Sequence, residues 1–455
     1  MLIRNRGDLV GGPRRPELRD MRHAALQIFE AALESVDPQI AVRRHLKREK
    51  GLLSVDGLEL ELSRVDSVRM IAFGKASLPM ARAVSEIIDL DEALVVTDGR
   101  ASSKNSEFQV VVAGHPHPDE GSLKAGSMAL QIARRCGPGD LLLVLVSGGG
   151  SAMLEDTDLP LPALREVSDL LIRSGMDIKK LNTVRKHLSN IKGGQLGKVA
   201  AVGGGAVVAL AVSDVVGDLP SFIASGPTVP DETTFQDAKS VLGDFGLWET
   251  IPREARERIE AGIQGTIPET PKPGEAPLEK VRNLIIASIA MACEAAAREA
   301  SRRGYQSMIL TSHIQGEAKE VGRVLASVAV SVYENNQPLK RPVAIIAGGE
   351  TTVTVTGAGI GGRNQELVLS AAPLLEDRDI VLLSCGTDGQ DGPTEAAGAL
   401  ADGETLSRAS RLNLDPLVHL FENDSHSFFR RLGDTVITGP TGTNVMDLQI
   451  VLVGA

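Results

Sequence analysis

Five short segments of the 455-residue chain set charged or hydroxyl side chains beside glycines, an arrangement that lets backbone close around a small anion. In IAFGKAS, Gly74 and Lys75 stand where a strand ends and a helix would start, so the ammonium would face the crevice in which open α/β sheets bind ligands; a solvated surface lysine is the alternative. In DLLLVLVSGGGS, the run Ser147, Gly148, Gly149, Gly150, Ser151 follows an apolar strand. Its N–H groups could cradle phosphate, or the run could be only a tight strand-to-helix turn. ALAVSDVVGDLPSFIASGPT supplies Ser213, Asp214 and Asp218 and then Ser225 and Thr228; its carboxylates could hold magnesium, which prefers hard oxygen ligands, or could cap turns. AIIAGGETTVTVTGAGIGGRNQE brings Gly348, Gly349 and Glu350 to one strand end and Arg363 beside Gly361 and Gly362. The planar fork of an arginine takes a carboxylate or phosphate through two parallel hydrogen bonds. LLSCGTDGQDGP carries Thr387, Asp388 and Asp391, a second cluster suited to a metal or a hydroxyl group, or to turn capping.

Some familiar motifs are absent. No GxxxxGK[ST] occurs, so Ser147–Ser151 is not a Walker A loop. GAGIGG lacks an acidic residue at the end of a following strand and is a poor dinucleotide fingerprint. His115 and His117 flank Pro116 in an extended stretch that would point the two rings to opposite sides, which favours a structural or substrate-facing loop over a metal pair. His187 is expected on a polar helix with Arg185, Lys186 and Lys192, either a solvated face or positive charge near phosphates.

Elements that must position these groups follow from the period of the apolar residues. From Met21, β-branched or apolar runs alternate with amphipathic helical stretches, which implies βαβ units and a largely parallel sheet. LLLVLV is apolar at every position, as a strand covered by helices on both faces must be. The chain is too long for one ordinary core, and two domains are expected: residues 21–265 and 279–455, joined by a Pro/Gly-rich linker at 266–278 and preceded by a loose tail, 1–20.

Hydrophobic residues are 42% and charged residues 24% of the chain, a globular composition. A net charge of −11 argues against a nucleic-acid partner. Cys136, Cys293 and Cys385 are too few and too scattered for a disulfide framework or a zinc site, so a reducing cytoplasm is expected. No apolar stretch reads as a signal peptide or a membrane span, and no membrane partner is expected.

Taken in order, AFGKAS, GHPHPDEGS, VSGGGSAML, LNTVRKHLSNIKGGQL, VSDVVGDLPSFIASGPT, GGETTVTVTG, GGRNQELVL, TDGQDGPTEAAGA and TGTNVMDLQI resemble the glycerate 2-kinase family with a C-terminal MOFRL domain, over residues 70 to 450. The resemblance implies two α/β domains, the first Rossmann-like with a mostly parallel sheet covered by helices and the second smaller, with the active site in the cleft between them. It implies transfer of the ATP γ-phosphoryl group to the 2-hydroxyl of D-glycerate with a divalent metal, Mg2+ first. Lys75 and Arg363 are then the catalytic pair. Ser147, Gly148, Gly149, Gly150, Ser151, Asp214, Gly349 and Glu350 would bind the nucleotide, and Asp218 and Asp388 the metal. An NAD(P)H-dependent hydroxypyruvate reductase and a non-catalytic sugar-acid sensor are the competing readings. Monomer and homodimer both stay open.

Overall fold

A computed structural model describes residues 2–12, 14–99 and 107–455. The chain forms two compact units, Pro38–Ile286 and a second made of Met1–Asp37 with Ala287–Ala455.

The first unit begins with a three-stranded antiparallel sheet, β1 (Leu46–Glu49), β2 (Leu52–Val55) and β3 (Leu58–Glu61). Asp56 and Gly57 join β2 to β3 with φ of 46° and 81°, the paired positive angles of a two-residue hairpin turn. Six further strands build its main sheet: β4 (Ser67–Phe73), β5 (Glu92–Thr97), β6 (Gln109–Val112), β7 (Asp140–Val146), β8 (Ala206–Val212) and β9 (Val281–Ala287). Their order across the sheet is β6-β5-β4-β7-β8-β9, and the pairs β6–β5, β5–β4, β4–β7 and β7–β8 are parallel. That is the strand order of doubly wound dinucleotide-binding sheets, whose direction of winding reverses between β4 and β7. Leu141 to Val146 are all buried, as expected of a strand covered on both faces. Leu142, Val144, Phe73, Val96 and Ala129 belong to one core, and burial of a Leu or Val side chain contributes about 1.5–3 kcal/mol.

The second unit holds β10 (Gln306–Ile314), β11 (Val343–Gly349), β12 (Ile380–Gly386), β13 (Gly398–Asp402), β14 (Thr435–Val436) and β15 (Asp447–Val453), ordered β10-β11-β15-β12-β13-β14. Only β10–β11 is parallel among these pairs; β15 lies antiparallel to both β11 and β12.

Two boundaries differ from the sequence expectation. Residues 6–10 and 16–35 are helical rather than a loose tail, although Met1 and Pro13 of that stretch lie outside the described residues. The helix Pro16–Ser35 belongs to the second unit because fully buried Arg22 bonds Asp402 at 2.6 Å, Asp434 at 2.8 Å and the Leu9 carbonyl at 2.7 Å. The expected linker, 266–278, lies inside the first unit. It is pinned there by Thr270 donating to Asp231 and by Glu269, which accepts from Phe235 and Thr270 N–H groups and contacts His187 at 3.0 Å.

Candidate functional site

Carboxyl ends of β4 and β7 meet at the reversal point of the first sheet, and there the two glycine loops are stitched together. The Lys75 N–H donates to the Gly148 carbonyl at 2.9 Å, and the Ala76 N–H to Ser147 Oγ at 3.0 Å. Gly74 has φ of +107°, and a side chain there would meet the Ser147 carbonyl at 2.4 Å, so this crossing requires glycine. Ser147 itself is buried, and its hydroxyl donates to the Phe73 carbonyl, so it holds the turn rather than facing a ligand. A Cβ on Gly148 would lie 2.4 Å from Asp214 Oδ2, which places that carboxylate directly against the loop. Gly149 lies against the His115 ring and Gly150 against Phe73 and Ala224.

The helix expected after the loop is only four residues, Gly150–Met153, so its dipole offers little to an anion. The loop backbone offers more. Among the described residues, no acceptor is found for the N–H groups of Gly148, Gly149 and Ser151. Three orphan donors in a turn make a concavity suited to an oxyanion. Ser151 Oγ pairs with Ser225 Oγ at 2.8 Å, and Ser225 donates to Asn182 Oδ1 at 2.8 Å, a hydroxyl–amide chain in which Asn182 had no signal beyond its place in LNTVRKH.

Lys75 is half-buried and has no hydrogen-bond partner among the described residues; its charge acts on Asp214. Burial pushes the Asp214 carboxyl above its ordinary range, opposed by its own backbone N–H and by Lys75. Asp218, at φ of 52°, carries a buried Oδ1 with no hydrogen-bond partner among the described residues. The basic helix Ile178–His187 is not a solvated face: Lys186, His187 and nearby Lys192 are all buried. The cause is a set of partners distant in sequence, Asp231 for Lys186, Glu269 for His187 and Glu155 for Lys192.

In the second unit, Gly349 ends β11 with φ of +146°, and Glu350 follows, its N–H donating to the Ile314 carbonyl at 2.9 Å. Arg363 opens the helix Arg363–Leu375. Its Nε and Nη2 grip the two oxygens of Asp447 at 2.6 and 3.0 Å, while Nη1 lies 2.6 Å from Glu350 Oε1. Burial alone would lower the guanidinium, but Asp447 and Glu350 more than offset it and hold Arg363 above its ordinary value. Asp447 is fully buried and was not singled out from sequence; an acid opening the otherwise apolar strand DLQIVLV was the available signal. Asp388 Oδ1 accepts from the Gln390 N–H at 3.0 Å, a local turn bond. Asp391 caps the Arg363–Leu375 helix from outside, accepting the Asn364 and Gln365 N–H groups at 3.0 and 2.9 Å. Burial lifts its carboxyl to about 6 against those donors. The two acids chosen for a metal, Asp218 and Asp388, belong to different units, and no group of three or more potential ligands gathers among the described residues.

Comparison with known proteins adds a likeness along the whole chain. Residues 24–260 match a domain of unknown function, DUF4147, and residues 343–447 match the MOFRL family. A glycerate 2-kinase of Pyrococcus horikoshii is 40% identical over 437 residues, covering 95% of this chain and 98% of the relative. A D-glycerate 2-kinase of Thermotoga maritima is 39% identical over 442 residues, with the same two coverages of 95% and 98%. A protein of Agrobacterium vitis provisionally named a hydroxypyruvate reductase is 40% identical over 442 residues, 95% of this chain and 94% of its own. The crystal structure of a glycerate kinase from Thermotoga maritima superposes with a TM-score of 0.84 at 37% identity, over 95% of this chain and 99% of that one.

Proposed function

The chain belongs to the glycerate kinase family that joins a DUF4147 module to a MOFRL module, and from that membership we propose that it is an ATP-dependent D-glycerate 2-kinase. It would move the γ-phosphoryl group of ATP to the 2-hydroxyl of D-glycerate, giving 2-phosphoglycerate and ADP. The observation that carries the reading is the conjunction at the β4–β7 reversal point: three N–H groups on the Ser147–Ser151 loop and a lysine stitched to it, none with a hydrogen-bond partner among the described residues. Phosphoryl transfer asks for in-line placement and for neutralisation of the oxygens on the moving group, and these are the groups that do so.

In this reading the N–H groups of Gly148, Gly149 and Ser151 hold a phosphate, and Lys75 follows the charge as it moves toward the leaving oxygen. Gly150 shapes the turn and Ser147 locks it to β4. Asp214, raised by burial and facing Gly148, would orient a hydroxyl group in this reading. Arg363 is the second cation, with Glu350 as its exchangeable partner and Gly349 as the close-packed corner before it. A divalent ion such as Mg2+ suits Asp218, whose buried oxygen lacks a partner and is the hard donor that ion prefers; Asp388 is the other acid in the proposal. When bound, the ion would neutralise phosphate oxygens. Three buried free cysteines fit a cytoplasmic home, and no helix among the described residues is long and apolar enough to cross a membrane.

The reductase name on one relative makes hydroxypyruvate reduction the second reading. Incubation with Mg-ATP and D-glycerate, followed by phosphorus NMR, tests the first, beside NADH and hydroxypyruvate for the second. A 2-phosphoglycerate resonance supports the kinase; NADH oxidation without a phosphate ester refutes it.

A further inference from the structure

Besides the exposed Lys179 and Lys180, four cations gather around the helix Ile178–His187, and three of them are fully engaged. Lys186 lies 3.2 Å from Asp231, Lys192 donates to Glu155 and to the Leu154 carbonyl, and Arg258 bonds Asp158, Asn190 and the carbonyls of His187 and Ser189. Arg185 is the exception. Among the described residues its guanidinium has no hydrogen-bond partner, although the side chain is half-buried. Glu155 attracts it but is held by Lys192 and by the Ser189 hydroxyl.

Arg185 lines a small cavity of about 20 Å³ with Ser151, Glu155 and the apolar residues Pro116, Leu164 and Leu188. Ser151, the last residue of the glycine loop, borders the same cavity as the guanidinium. A half-buried, permanently charged fork without a protein acceptor can complete its hydrogen bonds with an oxyanion. Burial draws Arg185 below its ordinary value, consistent with that want of a partner.

We propose that Arg185 receives the carboxylate of the hydroxy-acid acceptor and so makes the enzyme select acids over neutral polyols of the same length. The planar five-donor fork matches a planar carboxylate, whereas the point charge of Lys75 and the loop N–H groups suit tetrahedral phosphate. Glu155, close to Arg185, repels a triphosphate more strongly than a single carboxylate.

This inference rests on the kinase reading, so the test separates the two. Wild type, Arg185→Met and Arg185→Lys are compared in KM and kcat for D-glycerate, for glycerol and for ATP, and in calorimetric titration with D-glycerate alone. For Arg185→Met the KM and Kd for glycerate should rise at least about 30-fold with the ATP KM nearly unchanged, and the preference for glycerate over glycerol should fall by the same factor. Arg185→Lys should recover part of it, because charge returns without the fork. A folded Arg185→Met enzyme whose glycerate KM stays within about threefold of wild type overturns the assignment, and so does a rise in the ATP KM instead, which would give Arg185 to the nucleotide. If the methionine variant does not fold, Arg185→Lys decides: an unchanged glycerate KM sinks the idea. A wild type that binds glycerate without turnover fails the kinase reading, and the titrations still judge Arg185; one that neither binds nor turns over glycerate ends both.

Discussion

The family resemblance pairs Lys75 with Arg363, yet the surroundings of the two cations are opposite. Lys75 sits at the reversal point of a parallel sheet, half-buried, with no partner among the described residues but the field of Asp214, beside a loop three of whose N–H groups also find no acceptor there. Arg363 is saturated: a buried carboxylate holds one edge in two bonds and a second carboxylate takes the remaining nitrogen. The first region leaves its positive groups uncommitted. The second carries its own negative charge, with Asp391 adding to it at the helix start. A cation that already has two anions cannot lend its full charge to a third. Availability of charge, not its presence, separates the two regions.

The sharpest break of that contrast is Lys75→Met. Since nothing folded depends on the ammonium, turnover should fall about 10²–10³-fold while the thermal midpoint stays nearly constant. A variant that loses stability together with activity would mean Lys75 is a structural cation and would erase the difference from Arg363.

Asp447→Asn probes the opposite side. It keeps the shape but removes the charge facing a largely buried guanidinium, so unfolding in urea should come earlier by about 2–4 kcal/mol. If stability is unmoved, Arg363 is not held by Asp447 and is freer than the geometry says.

What could be read from the sequence divides along similar lines. Period and apolarity revealed the covered strand at Asp140–Val146, and with it the positions of Gly74, Lys75 and the Ser147–Ser151 loop, because short-range pattern determines where a strand stops. Groups whose role depends on a remote partner were not legible. Arg22 makes the N-terminal helix part of the second unit through Asp402, 380 residues away, and no local period carries that. Arg363 looked free because Asp447 is 84 residues downstream, and RKH looked like a wet helix face because Asp231 and Glu269 lie outside its helix. The hairpins at Leu46–Glu61 did carry a local signal, Asp56-Gly57, and were overlooked among the larger α/β pattern.

A third test uses pH and belongs to the Arg363 side. Asp391 titrates near 6 in the folded chain and near 3.8 unfolded, so between those values the folded state binds more protons. Stability should therefore decline as pH rises from about 4 to about 6, by up to about 3 kcal/mol, and level off above that. Chemical unfolding at stepped pH should show this slope in the wild type and lose it in Asp391→Asn. A flat wild-type profile over that range would show that the two helix N–H donors outweigh burial and that the carboxylate is ionised throughout.

The smallest effect expected is the most discriminating for Arg363. The Glu350 side chain is 44% exposed where Asp447 is fully buried, so its pair with Nη1 is screened by water. Glu350→Gln should change stability by less than about 1 kcal/mol, in contrast to Asp447→Asn. Its kinetic effect then says what Glu350 does. If the acid only parks the free end of the guanidinium, its loss makes that nitrogen easier to recruit, and substrate KM should stay level or fall with turnover nearly intact. Turnover slowed roughly 100-fold at unchanged stability would instead put Glu350 itself in the chemistry, and Arg363 would become the residue that orients it.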